Sequence, residues 1–176
     1  MALSALSDEL MRAEGMMMQD QNEEALELLL RLAEDAEEYV DCNCQTTDEL
    51  QYFAFPTLFD RLAYRRVEND PRKLEDVHEP FDRLYGDLAM AYVRTGDYEN
   101  AMNALKTAIR WNPMNCGFRL DLADLFKIAG DIREHMALTF GVFERASEAR
   151  HLTRAFLNFA AWFEAQGRLE QAAACL

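Results

Sequence analysis

Between Pro80 and Thr95 the apolar positions are Phe81, Leu84, Tyr85, Leu88, Ala89, Ala91, Tyr92 and Val93. Steps of three and four put most of them on one stripe of a helix. Thr95-Gly96-Asp97 stops that helix, because glycine adopts the left-handed conformation at a helix end and aspartate caps the next helix. The following segment carries Ala101, Ala104, Leu105, Ala108 and Ile109 on one face. "WNPMN" ends it, since Pro113 disfavours helical geometry at Asn112. The pattern therefore predicts a helical hairpin over residues 82–115.

The same grammar recurs downstream. "LDLADLFKIAGDIREHMALTFGVF" and "RAFLNFAAWFEAQGRLEQAAACL" each read as helix, glycine turn, helix. Gly96, Gly130 and Gly167 stand 34 and 37 residues apart. A period near 34 with two helices per unit points to a repeat array. Upstream, "SDELMRAEGMMMQDQNEEALELLLRLAEDAEEY" predicts two helices, Ser7–Met18 and Asn22–Tyr39, within a less regular hairpin over 7–40. Met16, Met17 and Met18 are adjacent, so a helix cannot turn all three to one side. Residues 46–80 interrupt the period. Thr46 to Val67 reads as a further helix, kinked or split at Pro56, followed by a loop between Pro71 and Pro80. "FDRL" occurs at Phe59–Leu62 and again at Phe81–Leu84, a spacing of 22 that does not fit the period.

These residues resemble the tetratricopeptide repeat family, whose pattern is aromatic-x2-Leu-Gly/Ala-x2-Tyr, a turn, Ala-x3-aromatic/Leu, then proline. Over 82–115 the places are held by Tyr85, Leu88, Ala89, Tyr92, Ala101, Leu105, Ala108 and Pro113. Over 116–149, Arg119, Leu122, Ala123 and Phe126 fill the first helix, but His135 and Thr139 replace the small and large apolar residues of the second. Over 153–176, Phe156, Phe159, Ala160 and Phe163 fill the first helix, and Ala172 and Leu176 begin the second. At 7–40 only the second helix resembles the pattern, through Ala25 and Leu29, which makes this hairpin a degenerate first repeat. The resemblance implies an all-α fold: one domain over 1–176, with antiparallel helical hairpins stacked into a right-handed α-solenoid. The last repeat stops about one turn into its second helix. The resemblance thus implies either a longer protein or a second subunit, as in a homodimer, covering that end.

Charge narrows the partners. Of the formal −14, residues 1–81 supply −13, with 20 Asp and Glu against 7 Lys and Arg. Such a surface repels phosphate backbones, so direct nucleic-acid binding is not expected. No run of 18 apolar residues occurs, and charges interrupt the N-terminus where a leader needs an apolar stretch, so a cytoplasmic protein without membrane contact is expected. Cys42, Cys44, Cys116 and Cys175 include one C-x-C and no second ligand pair, which reads as free thiols rather than a metal site.

No nucleophile, phosphate-loop or zinc-protease motif is present, so neither an enzyme nor a cofactor is expected. Asp121 and Asp124, one helical turn apart, read as solvated. The resemblance instead implies a protein-interaction scaffold whose first helices line a concave groove for a peptide or protein segment. Carried onto this chain, the binding residues are Arg83, Met90, Arg94, Leu120, Asp124, Lys127, Arg154 and Leu157. The matching places do not supply the lysines and asparagines with which some family members clamp a terminal carboxylate. The alternative function is a structural or dimerising region of a larger regulatory protein.

Overall fold

The structure is a computed structural model that describes residues 3–176; the first two residues of the expected 1–176 domain lie outside it. The described fold is all-α apart from one two-stranded sheet, and it divides into two compact units between Pro113 and Met114.

In the first unit, α1 (Leu3–Met18) and α2 (Asn22–Asn43) form a hairpin, as do α4 (Phe81–Thr95) and α5 (Tyr98–Trp111). Buried Leu6, Leu10, Ala13 and Met17 lie along one stripe of α1 at helical spacing. They meet Ala25, Leu29, Leu32 and Ala36 of α2 and Leu84, Leu88 and Ala91 of α4 in the unit's core. α4 packs on α5, on α2 and on α1, so a first helix touches both helices of the hairpin before it. The α4–α5 turn forms as its residues dictate. Gly96 takes φ 84°, a conformation that suits glycine, and Asp97 accepts a hydrogen bond from the Asn100 amide as the cap of α5.

The segment 46–67 departs from the expected helix. Leu50–Phe53 is a strand, β1, and Lys73–Asp76 is a second, β2, paired to it in parallel with Gln51 opposite Leu74. Between them α3 (Leu58–Glu68) begins only after Pro56, with Thr57 capping it through the Asp60 amide. Proline lacks the donor a helix interior needs and pushes Phe55 toward extended geometry, while Tyr52, Phe53 and Phe55 suit a strand. The gain is an aromatic cluster: the Phe53 ring lies 4.7 Å from Phe55 and 4.6 Å from Tyr64. The Ala54 amide donates to the Trp111 carbonyl at 2.9 Å and so ties the insert to the end of α5. The repeated "FDRL" opens α3 and α4 in opposite surroundings: Phe59 and Leu62 are exposed, whereas Phe81 and Leu84 are buried.

The second unit holds α6 (Cys116–Ile128), α7 (Ile132–Phe140), α8 (Ala149–Ala165) and α9 (Leu169–Ala174). Its contacts repeat those of the first, with α8 packing on α7, on α6 and on α9. Gly130 and Gly167 take positive φ at the same turn place as Gly96. The two polar departures in α7 are buried and bonded. His135 Nδ1 lies 2.8 Å from the Ala123 carbonyl, and Thr139 donates to the His135 carbonyl at 2.8 Å while accepting from Asn158 at 3.3 Å. They link α7 to α6 and α8 where apolar residues of the repeat pattern would only pack.

Candidate protein-binding faces

Each unit presents a pair of first helices, α1 with α4 and α6 with α8, and both pairs are pinned by the same device. Arg83 stands two residues before Tyr85, and Arg154 two before Phe156. Each reaches back to the preceding first helix, onto the residue after its buried alanine: Glu14 after Ala13, and Asp124 after Ala123. Arg83 donates to Glu14 Oε1 from Nη2 at 2.7 Å and from Nε at 2.9 Å. Arg154 donates to Asp121 at 2.7 Å and to Asp124 at 2.6 Å, closing its two arms on both carboxylates. The Asp121–Asp124 pair therefore holds an arginine rather than facing solvent alone.

A third arginine is also engaged internally. Arg94 donates to the Met17 carbonyl at 3.0 Å and lies 3.8 Å from Asp20. Of the four cations expected to meet a partner, Arg83, Arg94 and Arg154 thus bind their own chain, and Lys127 is exposed on the last turn of α6. Met90 and Leu157 are exposed, at 48% and 52%. Leu120 is not: it is fully buried with Cys116, Val142 and Ala155. The reason is local. α7 ends early at Phe140, and the chain after it folds Val142 and Phe143 over the α6 position that the family pattern leaves open.

Several residues of these faces were not singled out from the sequence. Glu14 lies on the first helix that resembles the pattern least, and only its place after Ala13 could have marked it. Met11 and Met18, seven residues apart on α1, are both exposed, while Met17 is buried, so the methionine run does split between core and surface. Asp87, one turn beyond Arg83, sits 3.8 Å from Arg83 Nε, and its Oδ2 has no hydrogen bond. Burial, and then the neighbouring Glu14 carboxylate, push its carboxyl up to about 7, against the pull of Arg83.

The tetratricopeptide repeat family model matches residues 82–115, the span of α4, α5 and the link to α6. The match is confined to that stretch, well under half of the chain. The repeat carries Arg83, Met90 and Arg94, and supports a protein–protein interaction scaffold. Among solved structures, a crystal structure of MamA is 16% identical, with 94% of this chain and 81% of that chain covered and a TM-score of 0.49. A MamA mutant is 17% identical over 97% and 93% of the two chains, with a TM-score of 0.42. No curated protein sequence matches the chain at a significant level. The repeat assignment rests on residues 82–115 and on the helix contacts within each unit. Among the described residues, no helix is long and apolar enough to cross a membrane.

Proposed function

We propose that the chain binds protein segments along its first-helix faces, with the 7–40 hairpin serving as a degenerate repeat beside the one at 82–115. The observation that carries this reading is the contrast on those faces between bonded charges and open apolar side chains. Arg83, Arg94 and Arg154 shape the walls by pinning neighbouring helices. Met90, Met11 and Met18 on one face, and Leu157 with Lys127 on the other, offer contact area. Unbranched methionines adapt to varied apolar side chains, which suits a segment gripped by packing more than by charge. Asp124 contributes through its hold on Arg154 rather than by direct contact.

Peptides selected from a random library against the folded chain test this. Their affinity should fall about tenfold or more in a Met90→Glu, Leu157→Glu double variant, since each change puts a charge into an apolar contact. Unchanged affinity in a folded double variant removes both faces from binding.

A further inference from the structure

The second helices of the first unit leave a groove between them. α2 and α5 both pack on α4 but not closely on each other, and the space over α4 measures about 290 Å³. Tyr85, Leu88 and Tyr92 of α4 form its floor, and Leu30, Glu34 and Glu37 form its α2 wall. From Tyr85 to Tyr92 the floor is about 10 Å long at 1.5 Å per residue. The side chains of α5 that line it are uncharged, whereas α2 carries eight Asp and Glu against Arg31. The groove therefore joins an apolar floor to one anionic wall. That combination suits an amphipathic helix whose apolar stripe is flanked by a cation.

α3 of the insert is such a helix. Leu58, Phe59 and Leu62 are exposed on it, and so is Arg66, one turn beyond Leu62. Steps of four from Leu58 through Leu62 to Arg66, with Phe59 three before Leu62, place these side chains on one stripe away from buried Tyr64. The stripe is about 12 Å long by the same rise, close to the length of the floor. Its charge is opposite to that of its surroundings. Residues 58–66 hold three arginines and one aspartate, within a stretch, 1–81, whose balance is −13. Arg61 and Arg65 turn to the Leu74 and Arg72 carbonyls, which leaves Arg66 as the cation of the stripe. The stripe is exposed within its own copy, so its complement comes from outside that copy. We propose that a second copy of the chain seats its α3 in this groove, with Phe59 and Leu62 on the Tyr85–Tyr92 floor and Arg66 against Glu34 and Glu37. Stripe and groove are different surfaces of one chain, so two copies exchange the contact or further copies extend it. The groove lies on the second helices and is separate from the first-helix faces.

Sedimentation velocity of the full chain over a concentration series tests this. At 150 mM sodium chloride the screening length of about 8 Å removes most of the repulsion between copies of net charge −14. The mean sedimentation coefficient should rise with concentration, with half-association at about 10–100 μM, because one helix in a groove is a small interface. Phe59→Ser with Leu62→Ser removes the stripe, and Glu34→Lys with Glu37→Lys reverses the wall. All four residues are exposed. Each variant should keep the parent's circular dichroism and associate at least about tenfold more weakly. An equimolar mixture of the two variants joins an intact groove to an intact stripe, so it should regain association and stop at one-to-one pairs. Arg66→Glu added to the reversed wall should restore part of the loss. A parent that stays monomeric throughout, variants that associate as the parent does, or a mixture no stronger than either variant alone would overturn the proposal. Failure of Arg66→Glu to restore any association would overturn the pairing of Arg66 with the α2 wall.

Discussion

At the scale of single residues, the group that sets the first face is Arg83, because one guanidinium serves two carboxylates unequally. Glu14 takes both short hydrogen bonds, and Asp87 is left 3.8 Å away with an unbonded oxygen. An ordinary aspartate titrates near 3.9, so a folded value of about 7 means the folded chain keeps a proton that the unfolded chain has already released. Stability from this group is present below about pH 4 and is lost as pH rises through about 7. Glu79 and Asp82 are also pushed up by burial and add a slope of the same sign. Asp87→Asn should therefore lose less stability between pH 5 and pH 8 than the parent in urea unfolding, and should be the more stable of the two at pH 8 by about 1 kcal/mol or more. An identical loss in both proteins would mean that Asp87 is ionised without penalty. Residue identity alone did not show this arrangement. Arg83 and Arg154 were legible as face residues, but the carboxylates that hold them come from helices 69 and 30 or more residues away.

At the scale of elements, the turns were the most legible part, because their chemistry is local. Gly96-Asp97 and Gly130-Asp131 each place a left-handed glycine before a capping aspartate, and both caps accept the amide three residues on. A Cβ on Gly96 would meet nothing within 4 Å, so its substitution tests the backbone alone. Gly96→Ala should destabilise the chain by about 1 kcal/mol, read by denaturant unfolding, with the packing of α4 and α5 unchanged. A neutral result would mean that the turn relaxes to another conformation. The insert was less legible for a physical reason. A short apolar run such as "YFAF" fits a buried strand or a helix equally by periodicity, and only the pairing of Tyr52 and Phe53 with Glu75 and Asp76 and the packing of Phe53 on Tyr64 decide between them. Leu120 shows the same limit: its place in the pattern is open in the family, but Val142 and Phe143 close it here through a chain segment the pattern does not describe.

At the scale of the whole molecule, the uneven charge makes a prediction that ion-pair counting would get backwards. The pairs that pin the first helices are partly exposed: Arg83 with Glu14, and Arg154 with Asp121 and Asp124, have side chains 35–45% accessible. Such pairs contribute about 1 kcal/mol or less each and weaken in salt. Against them stands α2, where Glu23, Glu24, Glu27, Glu34, Asp35, Glu37, Glu38 and Asp41 face a single basic residue, Arg31. Glu23–Glu27, Glu34–Glu38 and Glu37–Asp41 are like-charged one turn apart, each unfavourable by about 0.2–0.5 kcal/mol, and the net charge of −14 adds longer-range repulsion. Salt relieves more repulsion than it removes attraction. Raising sodium chloride from 20 mM to 500 mM should therefore raise the thermal midpoint at pH 7.5, and Glu37→Lys, which places a cation between Glu34 and Asp41, should make the rise smaller. A midpoint that falls with salt would show that the arginine pairs outweigh the acidic helix, and would move the dominant electrostatic contribution from α2 to the first-helix faces.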